Sequence, residues 1–447
     1  MATAFVHIGQ AGLQIAEPLW SLAREHPSAR SWLFDEHGRA HCLLADCEPR
    51  VVRSVSRSLR GVARDDAAHV LSAHGSANNW AMGFTALAPD SLDALADSFR
   101  RMVERMDWWA GTVVAHSLAG GTGSGVGSRL LLELRDTYPR QWLVSAAVLP
   151  FDTGDSALQN YNAALALAHV QQYADLALLF ENAQLLCAHE KQHAHAERSA
   201  GSQLSPARPR PYASMRDLNE QIACALGGAL FPLDGDSGHP RAADLGELVS
   251  TVTPLPRLKL AGAQTVRAHT GARAPSAQLR RADSASAATA RALSRKLPAG
   301  SWDALSAQLC SRLPRFHSGT ERAVTLSASA LVRGGASVEL RSACTRLERT
   351  LGASPLSPFS VDWRFAPSQK GARGVEQSFS LVSNRTSIGA WLSRTLRRAG
   401  AQLDAGAYVH HYARYGCSEE AMRGYVDECW DIVADYKDAA SASASNY

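Results

Sequence analysis

Short apolar runs alternate with stretches of helical periodicity through the first 182 residues. Residues 4–8, 42–45, 113–117, 143–149 and 176–180 are largely unbroken apolar runs, the pattern of strands buried on both faces. Between them, 92–106, 124–137 and 158–173 carry apolar residues at three- and four-residue spacing. The alternation predicts an α/β fold built on a doubly wound parallel sheet, which binds ligands at the carboxyl ends of its strands. At 189–212, His, Arg, Ser and Pro replace the apolar period, which predicts a solvated loop or insertion. Helical periodicity returns at 215–231. Short strands at 257–261 and 323–332, separated by an Ala/Ser/Arg-rich stretch at 272–295, predict a second α/β domain. A strand at 377–382 and helices near 387–398, 405–415 and 419–436 complete the chain, with Ser418 placed to cap the last helix and Glu419 and Glu420 to complement its dipole.

The 447 residues are 46% hydrophobic, enough for one large domain or a few packed ones. Residues 1–10 have no basic lead and no long apolar core, and no later run approaches the ~18 to 20 apolar residues that span a bilayer, which argues against secretion and membrane insertion. Eight cysteines stand singly without a CxxC pair, as expected of reduced thiols in the cytoplasm rather than a disulfide or zinc framework. The net charge of +4 comes from basic residues interleaved with acids. No basic stripe points to nucleic acid, and Arg280-Arg281 and Arg397-Arg398 read as solvated faces.

The run AHSLAGGTGSGVG at 115–127 lies between a predicted strand and a predicted helix. Glycines there let backbone N–H groups approach phosphate oxygens, and the following helix start favours negative charge. The run lacks the Lys of GxxxxGK[ST] and the spacing of GxGxxG, so it matches neither a Walker loop nor a dinucleotide fingerprint. A tight turn using glycine for packing alone would show the same letters.

The stretch GGTGSG at 120–125 resembles the signature loop of the tubulin family. Other segments fall in that family's order: HIGQAGLQI at 7–15, DCEP at 46–49, NNWA at 78–81, QNYN at 159–162, EN at 181–182 and DLN at 217–219. The resemblance resumes at PLPRL, 254–258, and LVSN, 381–384, and continues through HHY at 410–412 into the last helix. PFDTGD at 150–155 followed by QNYN looks more like the delta type of the family than the alpha or beta type, and SANNWAMG at 76–83 agrees.

The resemblance implies GTP or GDP with magnesium as cofactors. It implies phosphate-side or nucleotide contacts for Gln10, Ala11, Gln14, Asn78, Asn79, Ser117, Gly120, Gly121, Thr122, Gly123 and Asp155, guanine contacts for Asn182 and Asn219, and a magnesium-side role for Glu48. Two departures stand out: Met215 occupies a place where an aromatic is common, and Ala11 one where Cys is common. The resemblance further implies that Glu247, in the segment ADLGE at 243–247, acts in trans on the nucleotide of an adjoining subunit, whereas an interface salt bridge is its other reading. Partners would be other tubulin subunits (alpha, beta or another minor type), and the location the cytoskeleton, at a centriole or basal body. The implied division is a GTP-binding domain at 1–188, a polar insertion at 189–213, a core helix at 214–231, an intermediate α/β domain at 232–385, C-terminal helices at 386–437 and a flexible tail at 438–447 poor in acids.

Three signals compete. HEKQH at 189–193 satisfies HExxH, in which two His on one helical face hold zinc; it falls where periodicity runs out, so a solvated loop is the plainer reading. Trp108-Trp109 directly precedes a strand, where packing is the commoner use of the pair. A nicotinamide or flavin enzyme on the same sheet is disfavoured by the missing GxGxxG.

Overall fold

The computed structural model describes residues 2–26, 29–72, 75–85, 89–154, 156–199, 213–232, 244–269, 301–314, 316–318, 321–334, 338–354, 356, 359–366, 369–371 and 374–444. The strands are β1 Ala2–Ile8, β2 Cys42–Asp46, β3 Ala68–Val70, β4 Trp109–Ser117, β5 Trp142–Leu149, β6 Leu176–Glu181, β7 Leu260–His269, β8 Phe316–Ser318, β9 Glu321–Arg322, β10 Thr325–Arg333, β11 Asp362–Ala366, β12 Gln369–Gly371 and β13 Gly374–Arg385. Eleven form one sheet in the order β11-β10-β13-β7-β6-β5-β4-β1-β2-β3, with β12 beside β13. From β3 across to β7 every pairing is parallel. β13 runs antiparallel to both β7 and β10, and β10 pairs parallel with β11.

The order β3-β2-β1-β4-β5-β6 reverses direction between β1 and β4, so those two strands leave a crevice at their carboxyl ends. Their interiors are almost wholly apolar: Phe5, Val6, Ile8, Val113, Val114 and Ala115 have at most 1% exposure, and burying a large aliphatic side chain contributes about 1.5 to 3 kcal/mol. The helix Gly9–Glu25 leaves β1 with Leu13, Ala16, Leu19, Trp20 and Ala23 on its buried face. The core helix Met215–Leu230 packs beside it, started by a capping box between Ser214 and Asp217. At its other end Arg333 donates to the carbonyls of Gly228 (3.0 Å) and Phe231 (2.8 Å).

The C-terminal helices Ile388–Asp404 and Glu419–Ala444 pack on Gln159–Tyr173 and share the main core. A second cluster, around Trp302, Leu309, Leu347 and Phe379, joins the helices Trp302–Arg312 and Val338–Leu351 to β7, β10 and β13. No helix among the described residues is long and apolar enough to cross a membrane.

Three local expectations give way. The helix Asn182–Ser199 runs through the stretch expected to be loop from residue 189, because its Ala, Leu, Gln, Glu and Lys are good helix formers whether or not they are apolar; residues 200–212 lie outside the described ones. At 405–415 only Val409–Ala413 is helical, since Gly406 and Tyr408 take left-handed φ of 62° and 61°. The last helix reaches Ala444, so 438–444 continues it, and its alanines favour that.

Candidate nucleotide site

The sequence-predicted site residues fall where the six parallel strands end. Gln10, Ala11 and Gln14 follow β1, Glu48 follows β2, Asn78 and Asn79 follow β3, Ser117 to Gly123 close β4 and open the next turn, and Asn182 follows β6. Asp155, after β5, lies outside the described residues. Asn219 joins the group from the core helix, where its Nδ2 donates to Gln14 Oε1 at 3.3 Å.

Glycine makes the meeting of the first and fourth loops possible. Gly9 has φ 71°, and a Cβ there would lie 2.8 Å from the nitrogen of Gly123. After β4 the chain passes through a π-helical turn, Thr122–Val126, into the helix Gly127–Thr137; the first N–H groups of such a helix have no earlier carbonyl to bind and are donors to spare. The glycines of the run divide by role. A Cβ on Gly121 would meet Asn79 N at 2.6 Å and Ser76 O at 2.7 Å, and one on Gly123 would meet Ser117 O at 2.8 Å. Around Gly120 the nearest atom is Asn78 Oδ1 at 3.9 Å, so only there is the space open.

Two histidines that the sequence reading passed over hold these loops. On β1, Trp20 Nε1–H donates to His7 Nε2 at 3.2 Å, so the proton sits on Nδ1, which donates to Gly12 O at 3.1 Å. On β4, His116 Nδ1 reaches Gly123 O at 2.9 Å and its Nε2 lies 2.8 Å from Ser145 Oγ. Burial pushes both down to about 4, so both are neutral at physiological pH. A histidine within an apolar strand run was the only sequence signal.

Asp46, the last residue of β2, is buried, and desolvation raises its pKa to about 6, against a hydrogen bond from Cys47 N (2.7 Å) that lowers it. Its Oδ2 accepts no hydrogen bond of good geometry, although Thr122 lies close enough to pull the pKa down a little. Thr122 Oγ1 is 2.9 Å from Ser76 Oγ, which ties the third and fourth loops together. Glu48, two residues on, is exposed. Among the described residues no three His, Cys, Asp or Glu side chains form a metal cage; a buried, unsatisfied carboxylate oxygen beside an exposed one instead fits magnesium, which takes one or two protein carboxylates and completes its shell with phosphate and water.

Asn79 has half of its amide engaged: Nδ2 donates to His411 O at 3.0 Å and Oδ1 accepts from Met82 N at 3.2 Å. Asn182 is buried with Oδ1 unpartnered, as an amide awaiting a donor would be. Ser117 Oγ accepts from Ala119 N at 3.1 Å and shapes the turn.

Residues 3–189 match the family model described as Tubulin/FtsZ family, GTPase domain. They are a tubulin-family domain. The likeness runs on beyond that domain: the tubulin delta chain of Mus musculus is 26% identical over 419 residues, covering 89% of this chain and 86% of its own. That of Homo sapiens is 26% identical with the same shares. The tubulin beta-3 chain of Zea mays is also 26% identical, over 91% of this chain and 83% of its own. Equal identity to delta and beta chains means that percentages alone do not assign a type within the tubulins.

Glu247 lies elsewhere. It sits in the first turn of the helix Leu245–Val252, whose Gly246 packs on Trp142 at the start of β5 and whose Leu245 packs near Gly111 at the start of β4. Those are the amino ends of the strands whose carboxyl ends carry the glycine loop. The nine residues of β4, at about 3.3 Å each, separate the two poles by roughly 25 Å. In this chain Glu247 Oε2 pairs with Arg364 Nη1 at 3.2 Å, and Arg364 Nε also pairs with Asp362 Oδ2 at 3.0 Å.

HEKQH falls inside the helix Asn182–Ser199, but the side chain of His193 is outside the described ones. Trp108 is 65% exposed, and Trp142, against the Glu247 helix, 39%. Trp109 alone of its pair packs inward, edge-on to Phe99 and Tyr138.

Proposed function

We propose that this chain binds GTP or GDP with magnesium at the carboxyl edge of its parallel sheet and assembles with other tubulin subunits, as a delta-type tubulin of centriole or basal-body microtubules. One observation supports the nucleotide reading: segments chosen by family resemblance lie after five parallel strands and on the core helix, on the side of the sheet where the strand order has its switch point. PFDTGD and QNYN, with the delta-chain similarity, support the type.

In this reading the spare N–H groups of the turn after β4 hold phosphate oxygens, with Gln10 and Ala11 closing over them from the opposite loop. Gln14 and Asn219 hold each other's amides at 3.3 Å and present donors and acceptors to the guanine edge with Asn182. Bound magnesium would neutralise phosphate charge, and Asp46 and Glu48 are the residues to hold it. Replacing Asn219 by Ala is expected to weaken guanine-nucleotide binding about tenfold. Competition between GTP and ATP for the purified chain is the test; equal affinity overturns the guanine assignment.

Hydrolysis in this reading is completed between subunits. Glu247 stands at the pole opposite its own nucleotide, so a carboxylate there orients water only on a neighbour's nucleotide. A non-hydrolysing structural tubulin is the second reading, and the Glu247–Arg364–Asp362 chain of ion pairs favours it, because a carboxylate held by Arg364 is less free to hold a water. Turnover measured with and without alpha/beta tubulin separates the two.

A further inference from the structure

We infer that Asn162 and Tyr412 are positioning residues through which the C-terminal segment 407–415 sets the geometry of the nucleotide loops; this rests on the nucleotide reading of that site. Asn162 has 0% exposure and every hydrogen-bonding position of its amide is used. Oδ1 accepts from Trp80 N at 2.9 Å and from the Tyr412 hydroxyl at 2.7 Å. Nδ2 donates to Asn78 O at 2.7 Å and Ala119 O at 2.8 Å. One planar group thus joins the loop after β3, the loop after β4, the start of the helix Trp80–Thr85 and the C-terminal segment. Displacing its Oδ1 partner turns the same plane that fixes both loops.

The loop after β3 needs such a hold. Ala77 and Asn78 have φ of 49° and 51°, the left-handed region that non-glycine residues keep only when their surroundings impose it. Gly121 packs against Ser76 and Asn79 of the same loop, so movement there reaches the glycine turn directly.

On the other side the segment is pinned to the same region. Asn79 Nδ2 donates to His411 O (3.0 Å), Thr85 Oγ1 to Tyr415 O (2.8 Å) and Tyr161 OH to Ala407 O (2.9 Å). Its outward face carries Tyr408, left-handed at φ 61° and 42% exposed, stacked on His411, with the His410 ring 4.1 Å from that of His411. A surface group and the nucleotide loops are therefore two bonds of one network apart. A buried strut that only stabilises the fold would have the same bonds, and the test is built to tell the two apart.

The full chain is loaded with a fluorescent guanine nucleotide, and its release is followed after mixing with excess GDP. Tyr412→Phe removes only the hydroxyl that touches Asn162. Thr85→Val removes a hydroxyl that ties the helix Trp80–Thr85 to the same C-terminal segment without touching Asn162. Tyr412→Phe is expected to release nucleotide about tenfold faster, and Thr85→Val within twofold of wild type, with similar small losses in Tm. Amide exchange at 76–79 and 119–122 should rise in Tyr412→Phe alone. Equal release from both variants, or wild-type release and exchange in Tyr412→Phe, overturns the inference and leaves the nucleotide reading intact. Failure of the wild-type chain to hold any guanine nucleotide overturns that reading and this one with it. Should Tyr412→Phe misfold, Asn162→Ser, which keeps one hydroxyl in place of four amide contacts, is expected to show the same fast release, and normal release from it overturns the inference.

Discussion

His7 and His116 stand on adjacent strands, and each gives its Nδ1–H to a glycine carbonyl, Gly12 at 3.1 Å and Gly123 at 2.9 Å. The two loops that meet at the switch point are thus each anchored by a buried imidazole that must stay neutral. Both histidines fall from 6.5 to about 4 on folding. Their contribution is fully present above pH 6.5, declines as pH falls below it and is gone by about pH 4, at about 3 kcal/mol each. Urea midpoints of the nucleotide-free chain should drop between pH 7 and pH 4.5. His116→Asn keeps a donor near the Nδ1 position, and is expected to be less stable at pH 7 but to show a shallower acid slope.

Asp46 titrates in the opposite sense. Its pKa rises on folding from 3.8 to about 6, so its contribution is present below pH 3.8 and lost as pH rises through 6. Asp46→Asn should therefore stabilise the ligand-free chain at pH 7.5, by about 2 to 3 kcal/mol, while weakening the dependence of nucleotide affinity on magnesium. Thermal melts with and without magnesium and GDP read both effects; a destabilised variant with intact magnesium dependence would contradict the assignment.

The glycine run makes a sharper test than its letters suggest. Gly121→Ala forces a Cβ to within 2.6 to 2.7 Å of backbone at Ser76 and Asn79, whereas Gly120→Ala finds its nearest atom at 3.9 Å. Gly121→Ala should cost several-fold in soluble yield and lower Tm by more than 5 °C. Gly120→Ala should keep wild-type Tm, and any lowering of nucleotide affinity in it reports crowding of the ligand itself.

Glu247 is 57% exposed, and the less exposed Arg364 keeps its second ion pair with Asp362, so Glu247→Ala should change stability by about 1 kcal/mol or less. Its own nucleotide affinity should be unchanged, because the residue lies at the far pole. Partner-stimulated hydrolysis should fall by roughly 10²-fold. Steady-state turnover with alpha/beta tubulin is the measurement, and undiminished stimulation would leave the residue an interface group only.

The strands that bear the site were legible because both faces are covered, which makes them apolar throughout: β1, β4, β5 and β6 begin within four residues of their expected starts and end within one of their expected ends. The glycine run and the Asn182 and Asn219 positions were legible as short motifs. What distinguishes Asn162 was not, because its partners lie 43 to 250 positions away and an isolated Asn looks like a turn residue. For the same reason the bond from Asn79 to His411 O and the role of Arg364 as the partner of Glu247 had no local trace. Composition also misled at 189–199, where polarity reported solvent and not the helix beneath it.

The two packing clusters share one sheet, and the main one crosses from β6 to β7, a pairing only three residue pairs long: Ala177 with Leu260, Leu178 with Ala261 and Leu179 with Gly262. By contrast β7 meets β13 over nine pairs. Gly262 at the end of that short pairing has nothing within 4 Å of where a Cβ would stand. Few ladder bonds hold β7 to β6, so a shift of β7 and the strands beyond it against the parallel sheet breaks least at this line. The core helix that carries Asn219 packs across β7 and β13 on one side and on the helix of Gln14 on the other. Any such shift would be carried by the core helix to the Asn219–Gln14 amide pair, the pair proposed above for the guanine edge.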